Sequence, residues 1–179
     1  MRVHFLDGTE PRAAELARIA PALETTLAGL PSGYSTSAPD PAQRARDMVL
    51  AADVFPCFAE ACDLLTMDGK SLRLELDSEN DNRFCRWWRE TPVRLQLCVA
   101  LRRAGDAAVE LFTGEQAGRI ADKPKGERPL GWDRLFVPDG FEHTLAELVV
   151  APELAGGGAD PVGLRTRVYG ELVRSLGGS

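Results

Sequence analysis

Gly131-Trp132-Asp133 sets an aromatic ring beside a carboxylate in what reads as an exposed loop, a pairing suited to a flat, hydrogen-bonding ligand such as a nucleobase. A second candidate is Glu60, which closes the short apolar run 54–59. A carboxylate at the end of a buried strand is well placed to hold a metal ion or act as a base. The third is the turn Asp7-Gly8, with the strand-like residues 2–6 before it and a helix start at Thr9, Glu10 and Pro11 after it. Strand, turn and helix in that order can offer backbone N–H groups to a phosphate. Gly8 stands without a GxGxxG or Walker pattern, and Asp7 repels phosphate unless a cation intervenes.

Several classes are disfavoured by composition. A chain of 179 residues, 44% apolar and 27% charged, fits one globular domain with a substantial core, with room for two lobes. The net charge of -6 argues against a general nucleic-acid or anionic-membrane binder. No window approaches a membrane span, and MRVHFLDG lacks the apolar run of a signal peptide. Cys57, Cys62, Cys85 and Cys98 form no CxxC and have no histidine at metal spacing, so they read as reduced core residues of a cytoplasmic protein.

The elements that must position these groups alternate in type. A helix follows Thr9 to about Pro21, and 29–39 is a loop by its Gly, Pro and Ser content. Asp40-Pro41-Ala42-Gln43 carries an N-cap, a first-turn proline and a capping-box glutamine, for a helix to about Ala52. On it Arg44, Arg46 and Asp47 form either a solvated face or a ligand-facing one. Residues 64–76 read as a hairpin turning at Asp68-Gly69, and 78–91 as a short helix with Phe84, Trp87 and Trp88. The tryptophan pair suits core packing or a partner surface. Strands follow at 93–102 and 107–120, and a last helix starts at Asp160-Pro161 with Leu164, Val168, Leu172 and Leu176 inward.

One family matches these residues in order: Phe112-Thr113-Gly114-Glu115, Gly118-Arg119-Ile120, Gly131-Trp132-Asp133, Phe136, Pro138-Asp139-Gly140, Thr144 and Ala146-Glu147-Leu148. Over 93–148 the chain resembles the inosine/xanthosine triphosphate pyrophosphatases, which remove unusual purine nucleotides. The resemblance implies an α/β fold with a long mixed sheet flanked by helices, two lobes around a cleft, and a homodimer. It implies magnesium and a purine nucleotide substrate, with Trp132 and Asp133 lining the base pocket. The family's triphosphate-holding Thr-Gly-Asn and lysine fall on Asp7-Gly8-Thr9 and Arg12, so the glycine is kept and arginine replaces lysine. Glu15 matches the glutamate of the following helix, and the metal-binding acidic pair falls on Glu60 and Ala61.

Departures from the pattern are as definite as the matches. Leu130 stands for the family's stacking Phe, Arg134 for its Pro, and Ala159 for its Lys. Its Ser-His-Arg falls on Gly163-Leu164-Arg165, leaving Arg165 as a base-reading residue or as ordinary surface charge. Three functions fit this mixture. One is a pyrophosphatase in which Asp40, Asp63 or another carboxylate stands in for the missing one, another is a member that binds without turnover, and the third is an enzyme retargeted to a different nucleotide.

Overall fold

The computed structural model describes residues 2–32, 34, 38–73, 81–126, 131–151, 160 and 162–177. Its described strands join in one mixed six-stranded sheet, β2-β1-β3-β4-β5-β6, as the α/β expectation required. The strands are β1 (Arg2–Leu6), β2 (Glu24–Ala28), β3 (Cys57–Thr66), β4 (Pro92–Arg102), β5 (Glu110–Ile120) and β6 (Phe136–Pro138). The helices are α1 (Glu10–Ile19), α2 (Pro41–Ala51), α3 (Asp81–Trp88), α4 (Leu145–Val150) and α5 (Leu164–Gly177). Two compact units divide the chain: unit 1 holds Met1–Cys62, Leu97–Gly114 and Leu164–Ser179, and unit 2 holds Asp63–Gln96 and Glu115–Gly163.

In unit 1, β1 pairs in parallel with β2 on one side and with β3 on the other, which requires α1 and α2 as crossover connections. β2 was not anticipated. Asp7 takes a left-handed backbone (φ 54°), and its N–H bonds to the Ala28 carbonyl at 2.9 Å. Gly8 is required by close approach, since a Cβ there would stand 2.5 Å from the Phe5 ring. Phe5 in turn stacks on Phe58 with centroids 4.6 Å apart.

Side-chain alternation along β3 sorts its residues between two faces. Cys57, Ala59 and Ala61 belong to an apolar cluster with Ala45, Met48 and Val49 of α2. Phe58 and Glu60 point the other way, where Tyr169 of α5 meets both. The strand does not stop at Glu60, as the apolar run suggested, but continues to Thr66, so Glu60 lies inside it.

α2 begins as the sequence indicates, with Asp40 accepting from the N–H groups of Ala42 (3.2 Å) and Gln43 (3.1 Å). The capping box is incomplete, because the Gln43 amide donates to Asp47 at 2.7 Å instead. Arg44 is buried and donates to the carbonyls of Ala38 and Pro39, so it belongs to neither a solvated nor a ligand-facing row. α5 starts at Leu164, later than Asp160-Pro161 indicated, and Leu164, Val168, Leu172 and Leu176 are all buried as expected.

Unit 2 carries the hairpin turn at Asp68-Gly69, with Leu65 opposite Ser71, while 74–80 lies outside the described residues. The tryptophan pair divides. Trp88 stacks on Phe84, whereas Trp87 is exposed, with the Arg83 guanidinium 4.3 Å from its ring centroid. β5 and β6 pair antiparallel, and Gly118 permits it, because a Cβ there would meet the Val137 carbonyl oxygen at 2.3 Å. α4 opens with the complete capping box Thr144/Glu147.

Candidate functional site

Arg12 and Glu15 are three residues apart on α1 and therefore share a face. That face and α5 bring two arginines, two glutamates and a tyrosine together in unit 1. The Arg12 guanidinium donates through Nε to Glu60 Oε1 at 3.0 Å, through Nη2 to the same oxygen, and through Nη1 to Glu15 Oε2. The Tyr169 hydroxyl donates to the other Glu60 oxygen, and Arg165 Nη1 stands 3.8 Å from Glu15 Oε1. Arg12 is 7% exposed, Glu15 1% and Arg165 5%, which removes the reading of Arg165 as surface charge.

Two guanidiniums and two carboxylates make the cluster neutral. Burial by itself would lower the Arg12 pKa, but Glu60, Tyr169 and Glu15 outweigh it and hold the guanidinium charged well above its usual range. Burial, and after it the Glu60 charge, push the Tyr169 phenol well above its ordinary value of 10. Tyr169 therefore acts as a neutral donor. A raised folded-state pKa contributes stability that is present below the unfolded value and lost as pH rises through the folded one. Stability measured by denaturant at successive pH values is expected to fall above about 10, and Tyr169→Phe to flatten that fall; an unchanged slope would place the titration elsewhere.

No sequence motif marks Tyr169. Its one signal is the position four residues after Arg165, which puts both on a polar stripe beside the apolar one of α5. Of the other expected groups, Gly8 shapes the turn into α1. Thr9 occupies the N-cap, yet its hydroxyl makes no capping bond. Asp40 is engaged in capping α2, and Asp63 accepts from Ser71 at 2.6 Å, so each offered substitute for the missing carboxylate already has a partner.

Ala61 lies on the opposite face of β3 from Glu60, 8% exposed among apolar neighbours. A carboxylate at 61 would enter the α2 core. Ala61→Asp is expected to lower stability by about 2 kcal/mol or more in chemical denaturation, without raising turnover. A stable, faster variant would overturn this placement.

Trp132 and Asp133 belong to unit 2 and are not exposed. A 3-10 turn over Gly131–Arg134 buries Trp132 to 7% and Asp133 to 2%, with the Trp132 ring 6.0 Å from that of Phe84. The exposed aromatic inferred from the loop composition is thus a packing residue here. Leu130 and Ala159 lie outside the described residues. A separate 310 Å³ cavity in unit 2 is lined by Arg89, Glu90, Arg119, Asp122, Lys125 and Glu142 among others. Its charges pair internally, Arg119 with Glu90 at 3.1 Å and Lys125 with Asp122 at 3.5 Å.

Magnesium is held by one or two carboxylates together with water or phosphate oxygens. Glu15 and Glu60 are the carboxylates present for it, but both oxygens of Glu60 and Oε2 of Glu15 accept from Arg12 or Tyr169, and Arg165 faces the remaining one. With Arg12 in place the set does not fit a divalent cation. No group of three or more His, Cys, Asp or Glu with metal-holding geometry occurs among the described residues. Burial raises the thiols of Cys57 and Cys85 to about 11, which suits inert, reduced packing residues.

Together, the mixed sheet and the buried arginine–glutamate cluster define an α/β protein with a neutral, internally paired charged centre. Residues 76–152 match the Ham1 family. The dITP/XTP pyrophosphatase of Hyperthermus butylicus is 46% identical over 50 residues, 28% of this chain and 25% of that protein. The Methanopyrus kandleri protein of the same description is 54% identical over 39 residues, 22% of this chain and 21% of that one. The chain thus spans about a quarter of the length of the curated relatives it matches. Over the whole chain the fold is that of a HAM1 protein from Coxiella burnetii, with TM-score 0.72, 16% identity and 100% of both chains covered. The Staphylococcus aureus Ham1 protein follows at TM-score 0.64 and 16% identity, with 99% of each covered. Residues 76–152 are thus similar to the Ham1 family, within the region where the sequence resemblance lies, and the fold is shared with Ham1 proteins over the whole chain.

Proposed function

We propose that the chain is a nucleoside triphosphate pyrophosphatase that converts a purine nucleoside triphosphate to monophosphate and pyrophosphate. The observation that carries this reading is the meeting of Arg12, Glu15, Glu60, Arg165 and Tyr169 from α1, β3 and α5. Arg12 and Arg165 are the cations for phosphate oxygens, and the planar fork of a guanidinium suits them. In the cleavage step a water oxygen bonds to the α-phosphorus in line with the departing bridge oxygen. The bond between α-phosphorus and that oxygen breaks, pyrophosphate leaves with the electron pair, and the water proton passes to the Glu60 carboxylate. No step is assigned to magnesium, which the donor set does not accommodate as it stands.

Purine recognition rests on the resemblance, which implies that Trp132 and Asp133 line the base pocket and supports Asp133 as an acceptor for base N–H groups. Asp133→Ala is expected to weaken inosine triphosphate binding by about 1–3 kcal/mol in calorimetry; an unchanged affinity would place the base elsewhere. The homodimer and the cytoplasmic setting belong to the same reading. No helix among the described residues is long and apolar enough to cross a membrane.

A second reading, binding without turnover, is favoured by Ala61, which leaves Glu60 without its acidic neighbour. Incubation with inosine, xanthosine and adenosine triphosphates, following pyrophosphate, separates the two. Turnover of a purine triphosphate supports the hydrolase. Thermal stabilisation by a nucleotide without turnover supports the binder, and neither effect refutes both.

A further inference from the structure

We propose that Arg12 takes the position a divalent cation would hold between Glu15 and Glu60, so that this chain binds a polyphosphate without a divalent cation. The proposal rests on the reading of this cluster as the polyphosphate site. A single guanidinium reaches both carboxylates, and Tyr169 and Arg165 meet their remaining oxygens. Bringing Mg²⁺ into that arrangement would add two positive charges to a neutral, buried group and leave the ion few oxygens to replace its water. A cation there would have to displace Arg12, whose charged side chain is 8% exposed and would lose both partners.

Arg12 also retains capacity for an anion. Of the five N–H donors in a guanidinium, Nε, Nη1 and Nη2 each direct one at Glu15 or Glu60, leaving the second N–H of each Nη for phosphate oxygens. A lysine at this position offers a point charge in place of a planar fork and could not bridge two carboxylates while presenting further N–H groups in the same plane. Arginine at position 12, where the resembling family has lysine, then has a functional explanation. The cation requirement has moved into the protein.

The test uses the full chain and inorganic tripolyphosphate, titrated by calorimetry once with a chelator and once with magnesium. Dissociation constants within about threefold of each other are expected, together with no thermal shift from magnesium by itself. In Arg12→Ala, tripolyphosphate binding with chelator should weaken more than about tenfold, and magnesium should now stabilise the protein. The parent measurements decide the matter even if that variant fails to fold. Binding at least about tenfold tighter with magnesium, or a magnesium shift in the parent that Glu60→Gln abolishes, overturns the replacement and leaves the pyrophosphatase reading standing. Silence toward tripolyphosphate under both conditions overturns both.

Discussion

Arg12→Met is expected to lower the stability of the chain by about 3–5 kcal/mol, the usual consequence of stranding buried charges by removing one partner. For a chain of this size that corresponds to a melting temperature lower by roughly 10 °C or more. The cause is specific: Glu15 and Glu60 would keep their burial and share only Arg165 and Tyr169. The side-chain exposures of Arg12, Glu15 and Glu60 are 8%, 2% and 11%, so water replaces the lost bonds only in part. Replacing all three by Met should recover much of the loss, because buried ion clusters are often matched by well-packed apolar groups. A single variant within about 0.5 kcal/mol of the parent would mean that the cluster is open to solvent.

The second large effect concerns turnover. Glu60→Gln keeps the shape of the side chain but removes the charge that receives the water proton, and a fall in kcat of about 10²–10⁴ is expected. Its fold should survive better than that of Arg12→Met, since the amide oxygen can still accept from Arg12 or Tyr169. Equal kcat in the two proteins would remove Glu60 from the chemistry and leave its bonds as purely structural.

Most of the scaffold could be read from local pattern. β4 shows apolar alternation, α2 is announced by Asp40-Pro41, and α5 by its four-residue repeat. β2 was missed because Glu24–Ala28 is a short, half-exposed edge strand whose ladder exists only through β1. The sequence cuts β3 short because charged Glu60 and Asp63 interrupt an apolar run, although both sit in strand positions. Trp132 was read as exposed from its Gly- and Pro-rich surroundings, and packing near Phe84 overrode that composition.

The candidate site was legible in its members and hidden in its wiring. Gly8, Arg12, Glu15, Glu60 and Arg165 could be named from family pattern. That Arg12 reaches Glu60, 48 residues away, depends on how α1 lies over β3, which no local pattern encodes. The same long-range geometry brings Tyr169 to Glu60 and turns Ala61 to the other face.

Pyrophosphate release from inosine triphosphate, measured for the parent chain and for folded Glu60→Gln under identical conditions, decides whether Glu60 drives the cleavage. Release of pyrophosphate and inosine monophosphate is expected from the parent, with a rate at least about a hundredfold lower in the variant. Equal rates in the two proteins, or orthophosphate as the only product, would contradict the proposed cleavage.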